Sequence, residues 1–228
     1  MTSRGSQRTL YVSDLDRTLL HSDSTLGTNT ARLINAAIDD GMLFTYATAR
    51  SFSSSRRVTG GLRLVLPLIT YGGTITADPR TGVPADVHLL GQDIIETTIA
   101  TCANHPNAEP LLHTFEDGRD WLRWRPDRQT PGVSAFLNAR KGDPRLRPIT
   151  RTDPIDFDAV FYVAIIAPAA DLKDLCIDLQ PTLDLCADFL TEDPSTPGLT
   201  WLEFHSPEGT KARAIQRLMT TLGGSSLL

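Results

Sequence analysis

Two carboxylates stand two residues apart in the stretch YVSDLDRTLL, at Asp14 and Asp16, directly after a short apolar run. Residues i and i+2 of an extended segment point to the same side. Like charges placed this way repel unless a cation or a shared proton relieves them. A hard cation such as Mg²⁺, held through oxygen ligands, would do so. One carboxylate could then act as nucleophile and the other as general acid/base. A bare D-x-D is also what a strand-to-loop turn with two solvated aspartates looks like, so the surrounding elements must decide between the readings.

Those elements alternate. RTLYVS (8–13) reads as a buried strand. TNTARLINAAIDD (28–40) reads as a helix capped by Thr28 or Thr30 and stopped by Gly41. MLFTYAT (42–48) is a second strand, 51–59 a second helix, and LVLPLITYGG (64–73) a third strand. This order predicts a parallel sheet with crossover helices, in which ligands bind beyond the carboxyl ends of the strands. Asp14 is where the first strand should end.

The pattern then changes. Residues 76–87 are turn-rich, 92–105 are helical, and 110–126 form a hairpin around Asp117-Gly118. A short helix over 130–142, a strand over 158–168, a helix over 169–179 and a strand over 183–192 complete an α+β block. One more strand, 200–206, and a helix, 209–224, close the chain. The expected division is a core of 1–83 with 199–228 and an inserted α+β unit of 84–198.

The 228 residues carry a formal net charge of −5, with 40% apolar and 21% charged residues. No basic stripe suggests nucleic acid, and no run is long enough to span a membrane. The first ten residues hold no apolar segment of the secretory type, and three cysteines without metal spacing read as reduced thiols, so a cytoplasmic protein is expected. His21, His88, His105, His113 and His205 show no paired spacing. Trp121 and Trp124 read as hairpin packing. Arg119, Arg123 and Arg125 could meet a phosphorylated substrate, with a solvated strand face as the default reading.

DLDRTLL after an apolar strand resembles the first motif, D-x-D-x-T, of the haloacid dehalogenase superfamily. FTYATAR (44–50), ending its strand at Thr48, is similar to the second motif. LITYGGTITADPRTG (68–82) is similar to the approach to the cap in Cof-type members, and LEFHSPEGTKARAIQRL (202–218) resembles the third motif, with Lys211 opening a helix. The resemblance implies an α/β Rossmann-like core with an inserted C2-type cap. It implies a Mg²⁺-dependent phosphatase acting on a small phosphorylated metabolite such as a sugar phosphate. Asp14 would be the nucleophile and a metal ligand, and Asp16 the acid/base and, through its carbonyl, a second ligand. Thr48 would bind a phosphate oxygen, or cap the next helix. Lys211 would neutralise the phosphoryl group. Arg50 reads as structural or as a rim contact.

Arg17 and Ala49 stand where the family has glycine. No Asp or Glu follows Glu208, so the acidic fourth motif is expected to be lacking, through truncation, through a ligand from elsewhere such as Asp78, Glu203 or Glu208, or through loss of turnover. Two further readings therefore stay open: an impaired member that binds a phosphorylated ligand or a partner, and a phosphomutase-type transferase.

Overall fold

A computed structural model of the chain describes residues 9–192 and 196–223. These fall into two compact units, 9–87 with 208–223, and 88–192 with 196–207.

The first unit is the α/β core. β1 (Leu10–Ser13) runs parallel to β2 (Leu43–Tyr46), with Ser13 opposite Tyr46. Arg8, where the sequence starts this strand, lies outside the described residues. The Ala47 N–H donates to Ser13 O at 2.9 Å, and Ala47 bridges in parallel to Ile69 in β3 (Leu68–Thr70). Three parallel strands thus end side by side. Side chains alternate across them. Phe44, Tyr46 and Leu68 are buried with Ile38 of α1 (Thr28–Asp39), and Phe52 and Val58 of α2 (Phe52–Thr59) pack against them. Ala47 and Ile69 are buried with Ala214 and Leu218 of the chain-terminal helix. Helices therefore cover both faces.

The segment 76–87 is not merely turn-rich. It contributes β4 (Ile75–Ala77) and β5 (Pro84–Val87), which extend β3 as an antiparallel meander. Asp78 makes the turn between them, its Oδ1 accepting from the N–H groups of Arg80 and Thr81 and from the Thr81 hydroxyl. Strands this short carry too few alternations to stand out from the turn residues around them.

The second unit has a six-stranded sheet. It contains β6 (Pro110–Glu116), β7 (Arg119–Trp124), β8 (Leu146–Pro148), β9 (Val160–Ala167), β10 (Ala187–Glu192) and β11 (Thr200–His205), in the order β10-β11-β9-β6-β7-β8. Only the β7–β8 pair is parallel. The β6–β7 turn has Asp117 at φ 53° and Gly118 at φ 77°, as a two-residue hairpin of the expected type requires. α3 (Gln92–Cys102) and α5 (Ala169–Leu183) bury one face of the sheet, and α4 (Pro131–Ala139) packs Val133 and Phe136 on the other.

The sequence reading placed 199–206 in the core. The structure corrects this: β11 pairs antiparallel with β9 along its whole length and with β10 on its other edge. An isolated apolar strand fits either sheet by pattern, and hydrogen bonding to its neighbours decides. The boundaries accordingly fall at 87/88 and 207/208 rather than 83/84 and 198/199.

Arg119 is exposed on β7 as expected, but Arg123 of β7 and Arg125 just beyond it are drawn into ion pairs. Arg123 is fully buried and pairs with Glu116 and Asp153. Arg125 makes a forked pair with buried Glu109 at 2.5 and 2.7 Å. Arg119 lies over the Trp121 ring at 3.7 Å. The Arg123 and Arg125 charges are spent on holding the unit together, since a buried ion persists only when paired.

His113 of β6 is buried opposite Tyr162, with the rings of Phe136, Phe161 and Tyr162 edge-on at 6.5, 6.0 and 5.3 Å. Burial, then the nearby Arg145 and Arg140, pushes its pKa down to about 3. The unfolded imidazole titrates near 6.5. The stabilisation from keeping His113 neutral is therefore complete above about pH 6.5 and is lost as pH falls toward 3. Buried His205 is shifted in the same direction. We expect the unfolding midpoint to fall between about pH 6.5 and 5, and His113→Leu to flatten that slope. Thermal melts across this range would show it.

Candidate active site

Because three strands end level, the residues just beyond them share one edge. Asp14 follows Ser13, and Thr48 follows Ala47, its N–H donating to Ile69 O at 2.9 Å. After Asp14 the chain makes a single wide turn, Leu15–Leu19, closed by the Leu20 N–H to Leu15 O at 2.9 Å. Leu15 is fully buried between two half-exposed carboxylates, Asp14 and Asp16, the alternation the spacing implied. Arg17, where the family has glycine, sits at φ 57°, so this turn holds a side chain in the left-handed region at a cost of about 1 kcal/mol. Ala49 is not among the described residues with positive φ, and its position makes no such demand.

Lys211 is the first residue of α6 (Lys211–Thr221), whose N-terminus is capped by the Thr210 side chain. Its Nζ donates to Asp14 Oδ2 at 2.8 Å, while the Leu15 N–H donates to Asp14 Oδ1 at 2.6 Å. A cation in the first helical turn opposes the helix dipole, and the adjacent carboxylate offsets this. Gly73 makes the reach possible. At φ 114° it lies so close to the helix start that a Cβ there would stand 2.2 Å from Thr210 C and 2.5 Å from Lys211 N.

Arg50 belongs to the site, which the sequence reading did not foresee. Its Nε and Nη2 donate to Asp16 Oδ2 and Oδ1 at 2.9 and 2.6 Å, and Nη2 also reaches Ser24 Oγ at 3.0 Å. The Arg50 hydrogen bond, outweighing partial burial, holds the Asp16 carboxyl below its ordinary range.

Thr48 is buried, and its Oγ1 accepts the Arg50 N–H at 3.2 Å. It does not cap α2. Ser51 does, accepting the Ser54 N–H at 3.2 Å. The cap of α1 is likewise Gly27, not Thr28 or Thr30. The carboxylates considered as substitutes are committed elsewhere: Asp78 to its own turn, Glu203 to the Tyr162 hydroxyl at 2.9 Å, and Glu208 to Arg213 at 2.8 Å.

Among the described residues no group of three or more His, Cys, Asp or Glu side chains is placed to hold a metal. The Asp14 carboxylate and Asp16 carbonyl offer oxygen donors alone. That chemistry fits a hard cation of the kind that one or two carboxylates, waters and a substrate phosphate hold jointly.

A Rossmann-like core whose first strand ends in a lysine-paired carboxylate, with an α+β unit inserted in the chain, sets the class. The chain belongs to the haloacid dehalogenase-like hydrolase family, of Cof type: the family model matches residues 11–226. It is 27% identical over 181 residues to the HMP-PP phosphatase of Yersinia enterocolitica, covering 79% of this chain. It spans only 62% of that relative's length. A solved structure from Eubacterium rectale superposes with a TM-score of 0.74 at 18% identity, covering 94% of this chain and 77% of that one. The sugar phosphatase BT4131, described as HAD subclass IIB, gives 0.63 at 14%, covering 95% and 76%. At such identities the structures show the shared fold. Among the described residues no helix is long and apolar enough to cross a membrane.

Proposed function

We propose that this chain hydrolyses phosphoric monoesters of small metabolites through an aspartyl-phosphate on Asp14. The observation that supports this most is the Lys211–Asp14 contact of 2.8 Å at the strand ends, between residues 197 apart in sequence. Asp14 Oδ attacks phosphorus, forming an O–P bond as the ester O–P bond breaks. Asp16 must be protonated in the ester complex to give its proton to the leaving alcohol; the carboxylate so formed, paired with Arg50, then takes a proton from the water that cleaves the acyl phosphate. Thr48 donates its hydroxyl to a phosphate oxygen. Lys211 neutralises charge on the transferring group. Mg²⁺, held by the Asp14 carboxylate and the Asp16 carbonyl, would screen the anionic nucleophile from the anionic phosphate when bound. The names of the relatives point to small phosphorylated substrates, and a sugar phosphate is our first choice. Burial raises the pKa of Cys102 to about 12 and that of Cys186 to about 11, which leaves inert thiols suited to a reducing cytoplasm.

A second reading, a phosphate-binding member with little turnover, is favoured by one observation: both carboxylates already have cationic partners, Lys211 and Arg50. A panel of sugar and nucleotide monophosphates, assayed with Mg²⁺ and with chelator, separates the two. The first reading expects phosphate release that chelation suppresses. Saturable phosphate binding without release would instead establish the second.

A further inference from the structure

The turn that carries Asp16 has little intrinsic reason to hold the carboxylate still. Asp16 lies at φ −69°, ψ 127° inside a helical turn it does not follow, the next residue is left-handed, and the side chain is half exposed. A short aspartate in such a place samples several rotamers. What fixes it comes from the loop between β2 and α2. Arg50 presents a planar fork to both Asp16 oxygens, and the same Nη2 holds the Ser24 hydroxyl.

Ser24, at φ 62°, sits in a tight turn that keeps its own shape: its N–H donates to His21 O, the His21 N–H donates to Thr25 O, and Asp23 accepts from the Thr25 N–H and hydroxyl. Arg50 therefore ties two separate points of the 14–25 segment to the end of β2. Its own backbone is pinned on both sides, the N–H donating to Thr48 Oγ1 at 3.2 Å and the carbonyl accepting the Tyr71 N–H at 3.0 Å. The base of the clamp is thus continuous with the strand edge that bears Thr48.

We propose that Arg50 is the positioning residue for Asp16, fixing that carboxylate and the 21–25 turn in one geometry, so that its loss disables the step Asp16 serves rather than ester binding. This rests on the reading of Asp16 as acid/base. A misplacement of about 1 Å in such a group costs on the order of 100-fold in rate. An ammonium cannot reproduce the fork, so lysine is not a conservative replacement here.

The test compares two esters in the full chain. An alkyl phosphate has a leaving group that needs a proton, whereas p-nitrophenyl phosphate has one that leaves without it. Arg50→Ala should lower kcat/KM, which reports only the steps up to departure of the alcohol, by about 100-fold on the alkyl ester and by less than about 10-fold on the aryl ester, with KM on the alkyl ester changed less than about 3-fold. Arg50→Lys should recover little. Adding Arg50→Ala to Asp16→Asn should cost almost nothing more. Equal loss on both esters, a loss confined to KM, or full rescue by lysine would overturn the proposal. If the unsubstituted chain turns over neither ester, the proposed function falls. The clamp is then judged by amide hydrogen exchange, which Arg50→Ala should accelerate across 16–24 with little change in melting temperature. Unchanged exchange there would overturn it independently.

Discussion

Asp14→Asn should lower turnover of a phosphate ester by about 10⁴-fold or more, because an amide is neither a competent nucleophile nor an anionic metal ligand. The fold should survive. Asp14 is half exposed, and the Leu15 N–H can still donate to the retained side-chain oxygen. The Lys211 contact loses its charge, but a half-exposed pair contributes little to stability. Steady-state rates on a sugar phosphate, with a melting curve for each protein, would check both parts. Residual activity within about 10-fold of the parent would remove Asp14 from the chemistry.

The second large effect is expected from a residue that touches no substrate. Gly73→Ala drives a methyl group into the backbone of Thr210 and Lys211, at a φ of 114° that alanine avoids. Neither atom group belongs to a flexible side chain that can step aside. The start of α6 must shift, and Lys211 moves with it. The substitution should destabilise the chain by about 1–3 kcal/mol through overpacking. It should also lower kcat by about 100-fold, the scale on which removal of one preorganised charge-stabilising donor is felt. Lys211→Ala should lose comparable activity while leaving the melting temperature almost unchanged. Together the two variants separate the helix-positioning effect from the loss of charge.

Much of this site was legible before any coordinates. An apolar strand running into D-x-D places carboxylates at a strand end because the period of a strand is fixed. The edge that bears Thr48 follows from the parallel order of the first three strands. Lys211 was legible through the resemblance of LEFHSPEGTKARAIQRL to the family's third motif, in which a lysine opens a helix. The rest depended on distances that a linear pattern does not carry.

Arg50 meets Asp16 across 34 residues, and nothing local distinguishes a forked arginine from a solvated one. The repulsion between Asp14 and Asp16 is relieved by Lys211 and Arg50, one protein cation to each carboxylate. β11 was recognised as a strand but assigned to the wrong sheet, since its pattern is apolar and its partners β9 and β10 are known only by hydrogen bonding. β4 and β5 were missed because three and four residues between turn signals do not establish a period.

The central claim is that Asp14 takes the phosphoryl group. The most direct measurement is acid quenching of the chain during turnover of a sugar phosphate, followed by peptide mass spectrometry. The expected result is one phosphoryl group on the peptide containing Asp14, removed by hydroxylamine and absent from Asp14→Asn. Ester hydrolysis with no such adduct, or an adduct carried by another residue, would contradict the account.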